Sequence, residues 1–403
     1  MDFSILLVFL LVYLGMILGR LPGLALDRTG VALLGALALI ALEILSPEQA
    51  WESVDVSTIA LLFGLMVVSA QLRLGGFYTW VTRRLAEIEV APPALLGLLI
   101  VVCGLLAAVL ANDIVCLAMA PMLAEGCARR GLDPKPFLLA LACAANVGSA
   151  ATLIGNPQNM LIGQSLQLSF TGYLRDGGVP ALAGLGLVWL VIAWLFRHRW
   201  HAATPIHEVP APAFDRWQTS KGLAVTALLM LAFLFTDWPR EILALGAAGL
   251  LLLSRRMKSQ HILALIDWQL LVLFIGLFVV NHALAQSGML AEALAALKQG
   301  GIDLAVPAWL FAMTAVLSNL VSNVPAVMLL LPVADHALAG PILALSSTLA
   351  GNLFIVGSIA NIIVVDQAAR LGIHIGWREH ARIGVPVTLT TLGLAALWLW
   401  WLG

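Results

Sequence analysis

The stretch DVSTIALLFGLMVVSAQLRLGGF, residues 55–77, decides the fold because the chain contains it twice. Residues 267–289, DWQLLVLFIGLFVVNHALAQSGM, repeat its pattern 212 positions later, with Asp267 in the place of Asp55 and glycines at matching positions. Each copy holds an apolar run close to the length of a membrane-spanning helix. Self-similarity at a fixed offset is the mark of an internal repeat, so we predict two copies of one structural unit.

Two further pairs of segments extend the repeat. ANDIVCLAMAP, residues 111–121, pairs with SNVPAVMLLLP, residues 322–332, at an offset of 211. LIGNPQN, residues 153–159, pairs with IVGSIAN, residues 355–361, at an offset of 202. The same order of motifs in both halves predicts that the whole chain is a tandem of two related halves.

The composition places the chain in a lipid bilayer. Hydrophobic residues make up 61% of the chain, charged residues make up only 11%, and the mean hydropathy is +1.00, far outside the range of soluble domains. The net charge of −1 offers no basic excess for nucleic acid. Four cysteines, irregularly spaced in apolar segments, predict neither a disulfide framework nor a metal site.

Positive charge predicts the orientation. If two apolar segments that are broken by polar residues, about 92–126 and 305–334, each enter and leave on one side, all but three of the 21 Lys and Arg residues share one face. The exceptions are Arg175, Arg240 and Lys298. By the positive-inside rule this basic face is cytoplasmic and both termini lie outside. Equivalent segments then run in opposite directions, so the repeat is inverted.

We therefore predict an all-α polytopic membrane protein with two inverted-topology repeats, each holding a re-entrant helical hairpin and a broken transmembrane helix. The first repeat spans residues 1–196 and the second 221–403, with a cytoplasmic linker at 197–220. The broken helices are predicted at about 136–166 and 342–365. Unpaired backbone groups cost several kcal/mol in lipid, so such breaks persist around a cavity or a ligand. This architecture is typical of secondary transporters, which bind substrate near the midplane.

Together, the motifs ANDIVCLAMAP, NVGSAATLIGNPQN, SNLVSNVPAVMLLLP and GSIAN resemble the ion transporter superfamily over nearly the whole chain. That superfamily includes ArsB-type arsenite and silicate exporters, sodium-coupled dicarboxylate and citrate carriers, and NhaD-type sodium/proton antiporters. The resemblance implies a transporter whose site lies at the two hairpin tips and the two helix breaks.

In the dicarboxylate branch, each hairpin tip carries Ser-Asn-Thr, where Ser and Asn help to hold sodium and Thr touches the substrate carboxylate. The resemblance makes Asn112 and Asn323 the matching amides and Ser322 the matching serine. Asp113 and Val324 stand in the places of the threonines. An acid beside an anion site repels a dianion, which argues against a dicarboxylate substrate. The Asn-Asp tip resembles the arsenite and silicate exporters more closely.

The predicted substrate and ion site collects the polar and glycine residues of the tips and breaks. These are Asn112, Asp113, Thr152, Gly155, Asn156, Asn159, Ser322, Asn323, Gly357, Ser358 and Asn361. The coupling ion is H⁺ or Na⁺, and no other cofactor is expected. The expected ligands of a sodium ion are Asn112, Gly155, Ser322, Asn323 and Gly357.

These residues also have structural interpretations. Asp113 is either a proton carrier or the N-cap of the second hairpin arm, since Asp is a preferred cap. Asn156 and Asn159 either contact the ligand or satisfy a broken backbone. Thr152 and Ser358 equally fit a helix-packing role.

We expect a secondary transporter in the plasma (bacterial inner) membrane that moves a small inorganic anion or metalloid hydroxide, such as arsenite or antimonite, by proton-coupled efflux. The alternatives are sodium-coupled symport of a carboxylate or another anion, and sodium/proton antiport. The sequence has no HExxH, phosphate-binding glycine loop or Walker motif, so we expect neither an enzyme nor an ATP-driven pump. The expected partners are a small inorganic or organic anion and the lipid bilayer, with no nucleic acid; a homodimer is left open.

Overall fold

The computed structural model describes residues 2–19, 25–202 and 212–403. Within these ranges the chain forms twenty α-helices, and the one extended pairing is an isolated bridge between Leu132 and His201. Arg20, which the charge analysis placed on the basic face, and residues 203–211 of the predicted linker lie outside the described residues.

The helices form two matching series of ten among the described residues. The first series is α1 (Asp2–Leu18), α2 (Arg28–Ala41), α3 (Pro47–Glu52), α4 (Val56–Leu74), α5 (Phe77–Glu87), α6 (Pro92–Val109), α7 (Asn112–Arg129), α8 (Pro134–Ser149), α9 (Pro157–Ser165) and α10 (Phe170–Leu195). The second series is α11 (Arg216–Phe235), α12 (Arg240–Leu252), α13 (Ser259–Leu263), α14 (Trp268–Gln286), α15 (Met289–Gln299), α16 (Pro307–Val321), α17 (Asn323–Leu330), α18 (Ala339–Ala350), α19 (Ile359–Arg370) and α20 (Trp377–Leu402).

The repeated sequences at residues 55–77 and 267–289 form the same local structure. Asp55 and Asp267 are the N-caps of α4 and α14, and each carboxylate accepts the backbone N–H three residues later, at 3.0 and 2.9 Å. Gly76 and Gly288 adopt φ values of 75° and 78° where the chain turns into α5 and α15. Only glycine adopts this backbone conformation without strain, which explains why both copies keep it.

The two repeats intertwine in two layers. Helices α2 and α14 pack together, as do α12 and α4, and with α1 and α11 they form a layer that we call the frame. Helices α6–α10 and α16–α20 pack on one another and form a second layer, the core. The frame crossings are close and matched. A Cβ added to Gly64 would lie 2.6 Å from the backbone of Ala244, and one added to Gly276 would lie 2.7 Å from that of Ala32.

Contacts between helix ends show which ends lie on the same face of the molecule. On the basic face, Lys135 at the start of α8 pairs with Glu379 at the start of α20 at 2.6 Å. On the opposite face, Trp398 near the end of α20 donates to the carbonyl of Asp176 near the start of α10, at 2.8 Å. The equivalent helices α10 and α20 are therefore antiparallel, which confirms the inverted repeat.

The first hairpin, α6–α7, is re-entrant. Arg130, just after α7, donates to the carbonyls of Ile88 and Val90, just before α6, at 2.8 and 3.0 Å. The two arms therefore start and end on the basic face. The tip reaches the break between α8 and α9, where the Asn112 N–H donates to the carbonyl of Gly155 at 3.4 Å.

The second repeat carries the same features from the other face. Its hairpin is α16–α17, and its broken helix is α18–α19, with a 3₁₀ turn at Ile355–Gly357 inside the break. Six of the helices within the described ranges are long and apolar enough to cross a bilayer, namely α4, α6, α10, α11, α14 and α20. With the shorter apolar helices, they make the chain a multi-pass membrane protein. The amphipathic α5 and α15, 11 residues each, were not predicted from the sequence.

Candidate functional site

The two glycines of the helix breaks allow close backbone contact. A Cβ added to Gly155 would lie 2.3 Å from the carbonyl oxygen of Ser149 and 2.8 Å from that of Ala107 in α6. A Cβ added to Gly357 would lie 3.0 Å from the carbonyl oxygen of Gly351. Any larger residue would push the break away from the hairpin tip, so these positions shape the site.

The predicted residues of the first break satisfy its backbone. Asn156 is the N-cap of α9, and its side chain accepts the N–H of Asn159 at 2.9 Å. Asn159 is fully buried and donates to the carbonyl of Thr152 at 2.9 Å. The Thr152 hydroxyl donates to the carbonyl of Ala108 at 2.5 Å, near the end of α6. The break and the hairpin arm are thus joined by side chains that bond orphaned backbone groups.

The second break is held in the same way. Ser358 is the N-cap of α19, and its hydroxyl accepts the N–H of Ala360 at 3.2 Å. Asn361 donates to the carbonyls of Gly351 and Phe354 at 2.8 and 3.1 Å. In this structure Asn156, Asn159, Ser358 and Asn361 serve the backbone, and their contact with a ligand stays a prediction.

Asn146 of α8 joins the first repeat to the break of the second. Its amide donates to the side-chain oxygens of Asn352 and Asn361 at 2.9 and 3.1 Å, and its oxygen accepts the hydroxyl of Ser358 at 2.8 Å. It is 2% exposed, so these bonds lie buried inside the core. Sequence reasoning did not include Asn146 in the site, although a lone amide in an apolar helix was the available signal.

Thr348 of α18 makes the reciprocal connection. It lies 202 positions after Asn146, the offset that relates the two breaks. Its hydroxyl accepts from Asn156 at 3.3 Å and from Gln158 at 3.1 Å, both in the first repeat. The two broken helices therefore exchange polar contacts about the centre of the molecule. Thr348, too, was missed in the sequence.

The first hairpin tip presents one charged side chain. Helix α7 begins after Ala111, which is its N-cap and makes no side-chain cap bond. The Asn112 side chain accepts the N–H of Asp113 at 3.0 Å, and Asp113 is the second residue of the helix. The structure thus places Asp113 two residues after the N-cap, and the predicted capping role is not observed.

Asp113 lines a cavity between the frame and the core. The cavity has a volume of about 210 Å³, and its charged lining residues are Asp113, Arg73 and Asp267. Arg73 lies in the last turn of α4, and Asp267 caps the start of α14, so both mark the basic face. The cavity therefore extends from the first tip toward the basic face.

The corresponding region beside the second tip is packed. Val324 and Met328, the repeat mates of Asp113 and of the cavity-lining Leu117, are only 6% and 7% exposed. The Tyr13 hydroxyl of α1 contacts the carbonyl of Pro325 at 3.4 Å, and Asn281 of α14 contacts the sulfur of Met328 at 3.6 Å. Beside the hairpin tips, the molecule is thus open on the basic face and packed on the opposite face.

The amide of Asn323 occupies a cluster of oxygens at the second tip. In the orientation that its surroundings require, its nitrogen donates to the carbonyls of Gly357 and Ser347, each at 3.2 Å, and contacts the hydroxyl of Ser318. Its oxygen accepts from Gln158 at 3.1 Å.

Two neighbouring side chains complete this tip. Asn319 Oδ1 is buried without a hydrogen-bond partner among the described residues. Ser322 links α16 to α17 with φ 81° and ψ 161°, a conformation that is otherwise almost confined to glycine. The tips and breaks thus bring the predicted residues together at two places, one beside each hairpin.

Comparison with known proteins shows the family and several relatives. The sequence model of the citrate transporter family matches residues 9–342. The silicon efflux transporter LSI3 of Oryza sativa subsp. japonica is 29% identical over 460 residues, covering 93% of each chain. The inner membrane protein YbiR of Escherichia coli is 28% identical, covering 85% of this chain and 87% of the relative. An uncharacterized transporter of Mycobacterium tuberculosis is 28% identical, covering 93% of both.

One solved structure shares the fold. The crystal structure of the YdaH transporter of Alcanivorax borkumensis superposes with a TM-score of 0.58, covering 100% of this chain and 97% of that one. The two sequences are 16% identical, so the likeness is one of fold. The matched family, the relatives LSI3 and the Mycobacterium tuberculosis protein, and the solved structure are all named as transporters, which are not enzymes.

Proposed function

Because the chain belongs to the citrate transporter family and is a secondary transporter, we propose that it exports a small metalloid hydroxide or inorganic oxyanion in exchange for protons. The observation that carries this proposal is Asp113, the charged residue at the first tip, facing the cavity that extends toward the basic face. A solute that enters from this face meets that carboxylate beside the amide of Asn112.

The charge of the cavity limits which substrates it can accept. Two carboxylates, Asp113 and Asp267, and one guanidinium, Arg73, line it. With both acids ionised the cavity carries a net negative charge, which repels a dicarboxylate or a tricarboxylate such as citrate. An uncharged hydroxide such as arsenite or silicate avoids this repulsion and can donate hydrogen bonds to the tip. The likeness to a silicon efflux transporter supports the same substrate class.

Asp113 also suits a role in proton coupling. A carboxylate inside a transmembrane segment is costly, so its presence there favours a functional role. In this state it faces the basic-face cavity, where it can release or take up a proton. When the site turns to the opposite face, the same carboxylate meets the other solvent. Proton movement and substrate movement are then linked through one residue.

For the orientation, we propose that the basic face is cytoplasmic and that both termini lie outside a bacterial inner membrane. Single cysteines placed on exposed positions of the two faces test this. Ser259→Cys should react with a membrane-impermeant maleimide only from the cytoplasmic side, and Ala305→Cys only from outside. Labelling of both from one side of intact cells would contradict the topology.

Sodium coupling is the second candidate, and the second tip favours it. The oxygens of Ser318, Asn319, Ser347 and Gly357 surround or adjoin the Asn323 amide nitrogen. A rotation of that amide would turn its oxygen toward the same cluster and replace a donor with a fifth ligand. Such an all-oxygen set suits a hard cation.

A flux assay separates the two candidates. Purified protein in proteoliposomes is supplied with arsenite, antimonite, silicate, phosphate, succinate or citrate, under an imposed proton gradient or an imposed sodium gradient. We expect proton-driven movement of the uncharged hydroxides and no movement of citrate. Citrate or succinate uptake that requires sodium and ignores the proton gradient would contradict the proposal and support the alternative. Liposomes with Asn112→Ala protein are the matched control for leak.

A further inference from the structure

Arg28 and Arg240 are equivalent residues with different partners. They are the first residues of α2 and α12, and they lie 212 positions apart, the offset that also relates α4 to α14. Both helices belong to the frame. Because the repeat is inverted, Arg28 lies on the basic face and Arg240 on the opposite face.

Arg240 reaches from the frame to the core. Its Nη2 donates to the carbonyl of Gly163 in the last turn of α9, at 2.8 Å. Carbonyls at the end of a helix lack intrahelical partners and carry partial negative charge, so they are good acceptors for a guanidinium. Beside this bond, Glu241 accepts from Gln164 at 3.1 Å. Two bonds thus join the layers on the closed face.

Arg28 stays within the frame. Its Nε donates to the carbonyl of Met16 in α1 at 3.1 Å, and the neighbouring Thr29 hydroxyl donates to the carbonyl of Gln269 in α14 at 3.3 Å. Among the described residues, no hydrogen bond joins either side chain to the core. This is the face on which the cavity separates the two layers.

The second repeat nevertheless offers Arg28 a partner in the core. Asp366 of α19 lies 202 positions after Gln164, the offset that relates α9 to α19. Because α19 continues to Arg370, carbonyls near this position are not at the helix end, and a carboxylate takes their place. Asp366 now pairs with Arg370 of the same helix at 2.9 Å, and since both side chains are exposed the pair adds little stability.

We propose that Arg240 and Arg28 are alternating latches. Arg240 holds the frame to α9 on the opposite face in the present state, in which the second tip is packed. When the core shifts so that the basic face closes, Arg240 releases Gly163, and Arg28 leaves Met16 to pair with Asp366. Each arginine therefore stabilises one of the two states, and the transport cycle exchanges one latch for the other.

Two repeat-matched cysteines report the state without any substrate. Leu117→Cys lines the open cavity, and Met328→Cys, its mate 211 positions later, is packed on the closed face. Each is introduced singly after the four buried native cysteines have been replaced. The rate of reaction with a water-soluble maleimide in proteoliposomes then measures how open each face is.

The arginine variants should move the two reporters in opposite directions. Arg240→Gln should slow labelling at Leu117→Cys and speed it at Met328→Cys by about tenfold, equivalent to about 1.4 kcal/mol. Arg28→Gln should slow labelling at Met328→Cys, because it weakens the state in which that face is open. The exposed Arg175→Gln, on the same face as Arg240, is the matched control and should change neither rate.

Asp366→Asn separates a latch from a merely structural role. It leaves the Arg28–Met16 bond of the present state untouched but removes the partner that Arg28 is proposed to gain. It should therefore reproduce the effect of Arg28→Gln on Met328→Cys. The proposal is overturned if Arg240→Gln moves both reporters the same way or neither, or if Asp366→Asn leaves Met328→Cys labelling at the parent rate. If Arg240→Gln protein does not fold, the last result decides alone. None of these outcomes bears on which solute is carried.

Discussion

The two hairpin tips are copies of one motif, yet they differ in chemistry and in surroundings. At the first tip, the Asn112 side chain accepts the N–H of its neighbour, and Asp113 faces a cavity. At the second tip, the Asn323 amide bonds several groups and Val324 is packed. Repetition thus sets the shape of both tips, while the titratable charge belongs to one. This difference is the basis of our proposal that proton coupling depends on the first tip.

The largest effect should come from removing the charge at the first tip. Asp113→Asn keeps the size of the side chain but cannot carry a proton. We expect proton-driven flux in proteoliposomes to fall by about 100-fold, the scale expected when a proton-transfer group is lost. Substrate exchange without a gradient should persist and lose its pH dependence.

Asp267→Asn is the matched control for this prediction. It removes a second charge from the same cavity, yet Asn caps α14 about as well as Asp does. We expect it to keep proton-driven flux within a few-fold of the parent. If Asp113→Asn drives flux at the parent rate, or if both variants fail alike, the comparison between the tips loses its chemical basis.

The paired amides should be alike in transport and unlike in stability. Asn112→Ala and Asn323→Ala should each abolish flux, because each removes the amide of one tip. Asn323→Ala should also lower the free energy of unfolding by about 2–3 kcal/mol, since it leaves buried groups of Gly357, Ser347 and Gln158 without a partner. Asn112→Ala should cost about 1 kcal/mol or less.

Denaturant unfolding in detergent, alongside the flux assay, measures both quantities for this pair. Equal losses of stability would show that the two tips are equally embedded, against the structure. Normal flux in both variants would place the site elsewhere in the chain.

The contacts that cross between the repeats should contribute to stability more equally than the two tips do. Thr348→Val keeps the shape of the side chain and removes the acceptor for Asn156 and Gln158, at a cost of about 1–2 kcal/mol. Asn146→Ala removes three bonds and should cost about 2–3 kcal/mol. Unfolding midpoints measure both. A change below about 0.5 kcal/mol in either variant would show that the exchange does not hold the breaks together.

Much of the fold could be predicted from the sequence because membrane helices are long apolar runs and the second half repeats the first. The hairpin helices cover residues 92–129 and 307–330, against predictions of about 92–126 and 305–334. The short helices α5 and α15 escaped because 11 amphipathic residues are not a membrane span. Asn146 and Thr348 escaped because their partners lie about 200 positions away, and no local pattern shows that distance.

The open and closed faces could not be predicted for a different reason. The two hairpins share one sequence pattern, so the pattern does not show which face is open. Which face is open depends on how the frame and the core pack, and the contacts between them, such as Arg240 with Gly163, join residues far apart in the sequence. The charge of Asp113, in contrast, is visible in the sequence alone, and it drew attention to the tip that faces the cavity.

The smallest effect on stability should come from the residue that directly precedes the second arm of each hairpin. Ser322 has φ 81° and ψ 161°, whereas its mate Ala111 has φ −56° and ψ 117°, which any residue adopts. Ser322→Gly should therefore relieve strain and raise the free energy of unfolding by up to about 1 kcal/mol. Ala111→Gly should lower it by about 0.5–1 kcal/mol, because it only adds freedom to the unfolded chain. Opposite signs in denaturant unfolding are the expected result, and equal signs would mean that the strain is absent in solution. If the Ser322 hydroxyl also holds a coupling cation, Ser322→Gly will be more stable and yet transport less, which the flux assay on the same preparation separates from simple relief of strain.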